Sequence, residues 1–372
     1  MKNKSIEYLW YIVVVLAIWG SALGGIEVTF IGLMSPYRII SILTLIVLLI
    51  KKIRYNLKLK KDIVNIIMIF LICIVYNIIL LFFENSSIEL VKKGLNYFYG
   101  ILLIILAEEF ITDDKIYDKT VNVIMANYII ILLIGLYEVC TGTRLFEIQA
   151  TQQSQLNSIG LPLPIVAFYN TNGLAAFLIM FLPIIYNSTL LNKNKIVIII
   201  KTLIVLLSIF IIYLTESRLA CIIVLLFYIF LLIRNLKDKR KIIFILLSLG
   251  IGIVLCNTVF VEQMKEIEYN IFGNISRENN SIFIRSNIIN NGLDSLKESF
   301  FLGIGVGNFE TTVANYNNTY KLSLSHNFLM ELLVENGVII FSLLTIIYIN
   351  MFIKIFKKTQ KEKSDKIKNK YY

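Results

Sequence analysis

The chain has 372 residues, 57% hydrophobic and only 16% charged, against roughly half and a quarter in soluble domains. The formal charge of +11 would suit nucleic acid, but Lys and Arg fall in short clusters between apolar stretches, where they report membrane topology. No cluster forms the soluble basic face that follows a phosphate backbone, so nucleic acid is excluded as a partner.

A hydrocarbon layer needs roughly 20 apolar residues per helical crossing, and the sequence supplies such stretches from end to end. The N-terminus, MKNKSIEYLW, resembles the start of a signal peptide but lacks a small-residue cleavage site, and is read as a retained first helix. Apolar runs bounded by charge predict helices at 8–24, 36–50, 63–83, 94–107 and 120–140. Five more follow at 165–186, 196–215, 219–233, 242–260 and 327–355. The expected fold is all-α, a polytopic bundle of about ten transmembrane helices. Residues 1–260 form the bundle with about nine of them, 261–325 a large extracytoplasmic loop carrying part of the site, 326–356 the last helix, and 357–372 a basic cytoplasmic tail.

With the N-terminus inside, the inside segments hold about 25 of the 36 Lys and Arg residues, including KKIRYNLKLKK, RNLKDKRK and the tail. Both termini are then cytoplasmic. The polar stretches 141–164 and 261–325 lie outside, and loops this long in a compact chain are usually functional. Within the second, SIFIRSNIINNGLDSLKESFF places Ile282, Ile284, Ile288, Ile289, Leu293 and Leu296 at helical intervals, predicting an amphipathic helix on the membrane surface or capping the bundle. No internal repeat suggests a transporter built from inverted halves. Cys73, Cys140, Cys221 and Cys256 stand singly, with no CxxC or Cys/His spacing, so neither a disulfide framework nor a zinc site is indicated.

Few residues on the outer side are suited to chemistry. His326, the single histidine, stands where the large loop meets the last helix. It can move a proton near neutral pH, or merely cap and anchor the helix. Arg218, in LTESRLA, and Arg285, in the loop helix, lie at comparable depth. Arginine donates two parallel hydrogen bonds and keeps its charge, so two of them beside a base outline a site for a diphosphate and a hydroxyl. The plainer readings are an ion pair of Arg218 with Glu216 and a solvated helix face for Arg285. Arg38, in MSPYRII, adds a third cation or snorkels to the interface, and Lys201 reaches the cytoplasmic headgroups without an assigned function. GIGVGNF, residues 303–309, is a weak nucleotide signal because no strand of a βαβ unit precedes it; it predicts a tight turn with accessible backbone.

Together these segments resemble the O-antigen polymerase and ligase family of bacterial membrane glycosyltransferases. The strongest match runs from Arg285 through GIGVGNF to SHNFLMELLVENG, similar to the family's arginine, its GxGxxxF turn and its HNxxLxxLxExG entry into a late helix. FYNTNGLAAFLIMFLP (Phe168 to Pro183) and LTESRLA (Leu214 to Ala220) resemble its asparagine-rich helix start and its SR motif. The resemblance implies an enzyme, an inverting glycosyltransferase of the bacterial cytoplasmic membrane. Its donor would be an oligosaccharide on a polyprenyl diphosphate and its acceptor a glycan hydroxyl, with membrane lipid around it and a flippase and a chain-length regulator as further partners. Arg218 and Arg285 would hold the diphosphate and His326 would act on the acceptor, these three being the catalytic set. Arg38, Asn327, Gly303 and Gly305 would complete the substrate-binding set. No cofactor is implied, since arginines neutralise the diphosphate, although Mg²⁺ remains compatible with the reaction. The compact chain favours a polymerase building O-antigen, capsule or exopolysaccharide. A ligase moving finished glycan to a lipid or protein is the alternative, and a non-enzymatic flippase of lipid-linked sugars a further one.

Overall fold

A computed structural model of the chain describes residues 4–20, 22–28, 32–54, 88–146, 156–157, 160–168, 170–187, 195–234, 281–316 and 327–361, with scattered positions between 64 and 79 and position 250. The described residues are mostly helical. In chain order they form α1 (Lys4–Trp19), β1 (Ile26–Val28), β2 (Gly32–Met34), α2 (Pro36–Arg54), α3 (Ile88–Phe110), α4 (Asp114–Thr141), α5 (Thr171–Asn187) and α6 (Lys195–Leu214). They continue with α7 (Arg218–Arg234), α8 (Ser281–Glu298), α9 (Phe309–Ala314) and α10 (Phe328–Lys361). The all-α expectation needs one correction: β1 and β2 pair antiparallel, Ile26 opposite Met34, between α1 and α2.

Two described helices are long and apolar enough to cross a membrane, Asp114–Thr141 and the Phe328–Lys354 part of α10. Shorter apolar helices cover Glu7–Trp19, Thr171–Tyr186, Ile200–Leu214 and Leu219–Leu231. The expected helix at 242–260 lies, but for position 250, outside the described residues, as does most of 63–83. The expected helix at 165–186 begins six residues late, at Thr171. Residues 165–168 form a turn instead, and Asn170 supplies the cap by accepting the Gly173 N–H through Oδ1 at 2.7 Å.

The chain divides into two compact units. The first comprises Met1–Gly24, Ser35–Tyr37 and Ile111–Ile271. Its longest helix, α4, starts where Asp113 Oδ1 accepts the Ile116 N–H at 2.9 Å and ends at Gly142, whose φ of 69° suits a residue without Cβ. Tyr128, Ile131, Leu174, Leu178, Ile211 and Leu214 are fully buried where α4, α5 and α6 meet. The packing there is fixed by polar bonds as well as apolar contact, as helices in lipid require. Tyr128 donates to Ser208 Oγ at 2.8 Å, Trp10 to Thr120 at 2.9 Å and Trp19 to Asn127 at 2.6 Å. The two indole bonds climb both helices together, so α1 and α4 run parallel.

The second unit comprises Gly25–Met34, Arg38–Phe110 and Phe272–Tyr372. Arg38 lies over the Tyr99 ring, 4.7 Å from its centroid, and Lys52 pairs with Glu109 at 2.7 Å, which makes α2 and α3 parallel too. α8 packs on α9 and α10 around Ile288, Leu296, Ile304, Phe309, Val313 and Val334. Ile289 and Leu293 join that core, so the expected amphipathic face is used against protein. The side chains of Ile282 and Ile284 lie outside the described residues.

Candidate functional site

The motif ending in ENG folds as a broken helix. Asn327, exposed, opens α10: its Oδ1 accepts the Met330 N–H at 3.2 Å and its carbonyl the Glu331 N–H at 3.0 Å. The helix runs to Asn336 and breaks at Gly337, where φ is 71° and ψ 170°. Only glycine takes such angles without strain. His326, the residue before Asn327, lies outside the described residues.

The break is filled by the glycine turn. Ile304 N–H donates to Val334 C=O at 3.0 Å, Gly305 N–H to Glu335 C=O at 2.9 Å, and Val338 N–H to Phe301 C=O at 3.0 Å. The interrupted helix thus recovers the backbone bonds it loses, and so does the turn. Such contact requires bare backbone on both sides. A Cβ on Gly303 would lie 2.5 Å from the Gly337 nitrogen and 2.6 Å from the Glu335 oxygen, while one on Gly337 would strike the Leu302 carbonyl. Gly303, Gly305 and Gly307 all have positive φ, at 96°, 84° and 93°. The tight turn expected from GIGVGNF is therefore present. The N–H groups of Gly303 and Gly305 are committed inside the protein, to Ser299 Oγ at 3.2 Å and to Glu335.

Arg285 lies in the first half of α8, whose far end leads through Ser299 to Leu302 directly into that turn. Arg38, Arg285, Gly303, Gly305 and Asn327 belong to one compact unit, and Arg218 to the other. Arg218 is the first residue of α7, after a sharp link from α6 in which Glu216 has φ 55°. Thr215, buried, accepts the Ser217 N–H through Oγ1 at 3.4 Å, and Ser217 C=O accepts the Cys221 N–H at 3.1 Å. Lys201 has its ammonium 5.2 Å from the Tyr186 ring centroid, a cation–π contact inside its unit.

Sequence reasoning missed Glu138. This carboxylate, 2% exposed in the last turn of α4, accepts two backbone N–H groups through Oε2, from Ile165 at 3.0 Å and Val166 at 2.9 Å. Its Oε1 is buried and has no hydrogen-bond partner among the described residues. Val166 has φ 53°, strained for a branched side chain and held by these bonds. The signal was available, since a lone acid in IILLIGLYEVC is costly in an apolar helix and needs a partner. Among the described residues no group of three His, Cys, Asp or Glu side chains is placed to hold a metal ion. Cys73, Cys140 and Cys221 are in no disulfide, and Cys256 lies outside the described residues.

The apolar helices, together with the match that follows, support a membrane protein, mostly helical in its described residues. Residues 203–345 match the model of a family described as O-antigen ligase. Its members are glycan-transferring enzymes that handle lipid-linked substrates in a membrane. The matched segment takes in Arg218, Arg285, the glycine turn and the SHNFLMELLVENG motif. No curated protein and no solved structure matches the chain.

Proposed function

We propose that the protein is a polymerase of oligosaccharide repeat units, carried on a polyprenyl diphosphate, at the outer face of the bacterial cytoplasmic membrane. The carrying observation is the docking of the 301–305 turn onto the break at Gly337, in the same half-helix that Asn327 caps. Two separated motifs of the matched family are thereby one structural element, with His326 next in sequence to its cap.

In this reading the diphosphate leaves as negative charge grows on it, and Arg218 and Arg285 are the cations assigned to stabilise that charge. His326 takes the proton of the attacking hydroxyl. Direct displacement inverts the anomeric centre. Arg38 and Asn327 contribute binding at the outer end. Gly303 and Gly305 contribute shape, since their N–H groups are already used.

The topology goes with it: about ten crossings with both termini cytoplasmic. Helix directions support the odd and even assignment, because α1 and α4 run parallel, as do α2 and α3, in line with an odd number of crossings lying between the members of each pair.

The test is a gel of surface polysaccharide from cells lacking the gene and complemented with wild type, Arg218→Ala, Arg285→Ala or His326→Ala at matched membrane levels. Collapse of the ladder to single repeat units is expected. Long carrier-linked chains that fail to reach an acceptor would make the protein a ligase instead, and an unchanged ladder in all three variants would remove the catalytic assignment.

A further inference from the structure

The turn that feeds the glycine motif exposes apolar side chains. Phe300 is 85% exposed, Phe301 52% and Leu302 45%, three large apolar residues in a row where α8 ends. Both phenylalanines are held at positive φ, 52° and 63°. That conformation is unfavourable for a bulky residue and persists only where the surroundings impose it. In water this presentation would be doubly costly, strained backbone displaying bare aromatic surface.

Depth gives the arrangement a purpose. Phe301 is bonded through its carbonyl to Val338, the first residue after the break, and from Val338 to the exposed Lys354 is about 24 Å of helix. Lys354 can extend its ammonium to the inner headgroups, and the hydrocarbon layer is about 30 Å thick. Val338, and Phe301 with it, then lie within the outer boundary of that layer. A second marker agrees: the Leu302 carbonyl accepts a hydrogen bond from the hydroxyl of Tyr76. Tyr76 sits well inside the uncharged stretch 63–83, between Asp62 and Glu84. Val338, Ile339 and Ile346 on α10 and Ile72, Val75 and Ile79 around Tyr76 are exposed apolar residues as well.

Irregular backbone survives at membrane depth only when its polar groups are satisfied within the protein. This turn meets that condition. The N–H groups of seven consecutive residues, Ser299 to Gly305, all donate to protein acceptors: Ser295, Lys297, Leu296 and Ser299 carbonyls, Ser299 Oγ, then Val334 and Glu335 carbonyls.

We propose that Phe300, Phe301 and Leu302 form a wedge inserted into the outer leaflet, with bilayer acyl chains as its partner, so that the outer loop re-enters the membrane there and sets the glycine turn at its edge. The proposal rests on α10 crossing the bilayer in the proposed orientation and not on the proposed chemistry. A loss of polymer in His326→Ala therefore bears on the chemistry alone.

The experiment places the full-length protein carrying Phe300→Trp, and separately Phe301→Trp, in phosphatidylcholine and phosphatidylglycerol vesicles. The emission of parent protein, from Trp10 and Trp19, is subtracted. Expected are a blue-shifted added emission, loss of intensity with lipids brominated near the headgroup end of the chain, weaker loss with bromines near the methyl end, and protection from aqueous acrylamide. Red-shifted emission quenched by acrylamide and indifferent to brominated lipid in both variants would overturn the wedge. Equal or stronger quenching from the methyl end would overturn its depth.

Discussion

Single side chains decide how the buried polar groups of this protein are satisfied. Tyr128 is fully buried and donates to Ser208, whose own hydroxyl donates to the Ile204 carbonyl at 2.6 Å. Tyr128→Phe removes the donor and leaves the shape, and should lower stability by about 0.5–1.5 kcal/mol, read as a reduced Tm in detergent. Glu138 offers a sharper contrast. Glu138→Ala strips the acceptor from two buried N–H groups, at about 1–3 kcal/mol for each unpaired group, whereas Glu138→Gln keeps a carbonyl for both. Thermal unfolding should therefore separate the two variants, with Gln close to wild type and Ala well below it. Equal loss in both would mean that the charge of Glu138, and not its oxygen, holds the Ile165–Val166 turn.

Elements carry a different kind of sensitivity, set by backbone meeting backbone. At Gly303 and Gly337 an added methyl meets main-chain atoms of the partner segment, which cannot rotate away. At Gly292 the added methyl meets the Phe309 ring, 2.9 Å from Cε2, and a ring can shift. Gly292→Ala should cost about 1–3 kcal/mol as local overpacking. Gly303→Ala and Gly337→Ala should undock the turn, so membrane levels and Tm fall further and, on the proposed function, polymer is lost. A matched series of the three variants in one expression system checks the ranking. This turn also shows what the sequence discloses and what it withholds. Its tightness was legible in glycines spaced two apart, and α8 in the spacing of its isoleucines and leucines. Its docking on Gly337 was not, because hydrogen bonds from Ile304 and Gly305 to Val334 and Glu335 depend on chain angles and on no side-chain type. Glu138 was overlooked for a related reason: its partners are backbone amides of residues 165 and 166, and those leave no mark on composition. The late start of α5 follows from the same bonds, since amides given to Glu138 mark a turn where hydropathy alone suggests helix.

For the whole molecule, hydropathy made the helical membrane class plain, and the parallel pairs α1 with α4 and α2 with α3 agree with the order of crossings proposed from charge. Orientation is testable on a native residue. Cys140 is exposed at the end of α4, the end assigned to the outer face. A membrane-impermeant maleimide added to intact spheroplasts should label Cys140, and Cys140→Ser should abolish that labelling. Labelling only after permeabilisation would invert the proposed topology. The bend at Gly337 also bears on how the protein is made. In a straight α10 the carbonyls of Val334 and Glu335 would bond to amides one turn later in the same helix; in the folded protein they bond to Ile304 and Gly305, which are synthesised earlier. The last helix thus emerges from the ribosome after the segment that shapes it. Its kink is templated by chain already delivered to the membrane, and a protein truncated before α10 would leave those two donors waiting for acceptors.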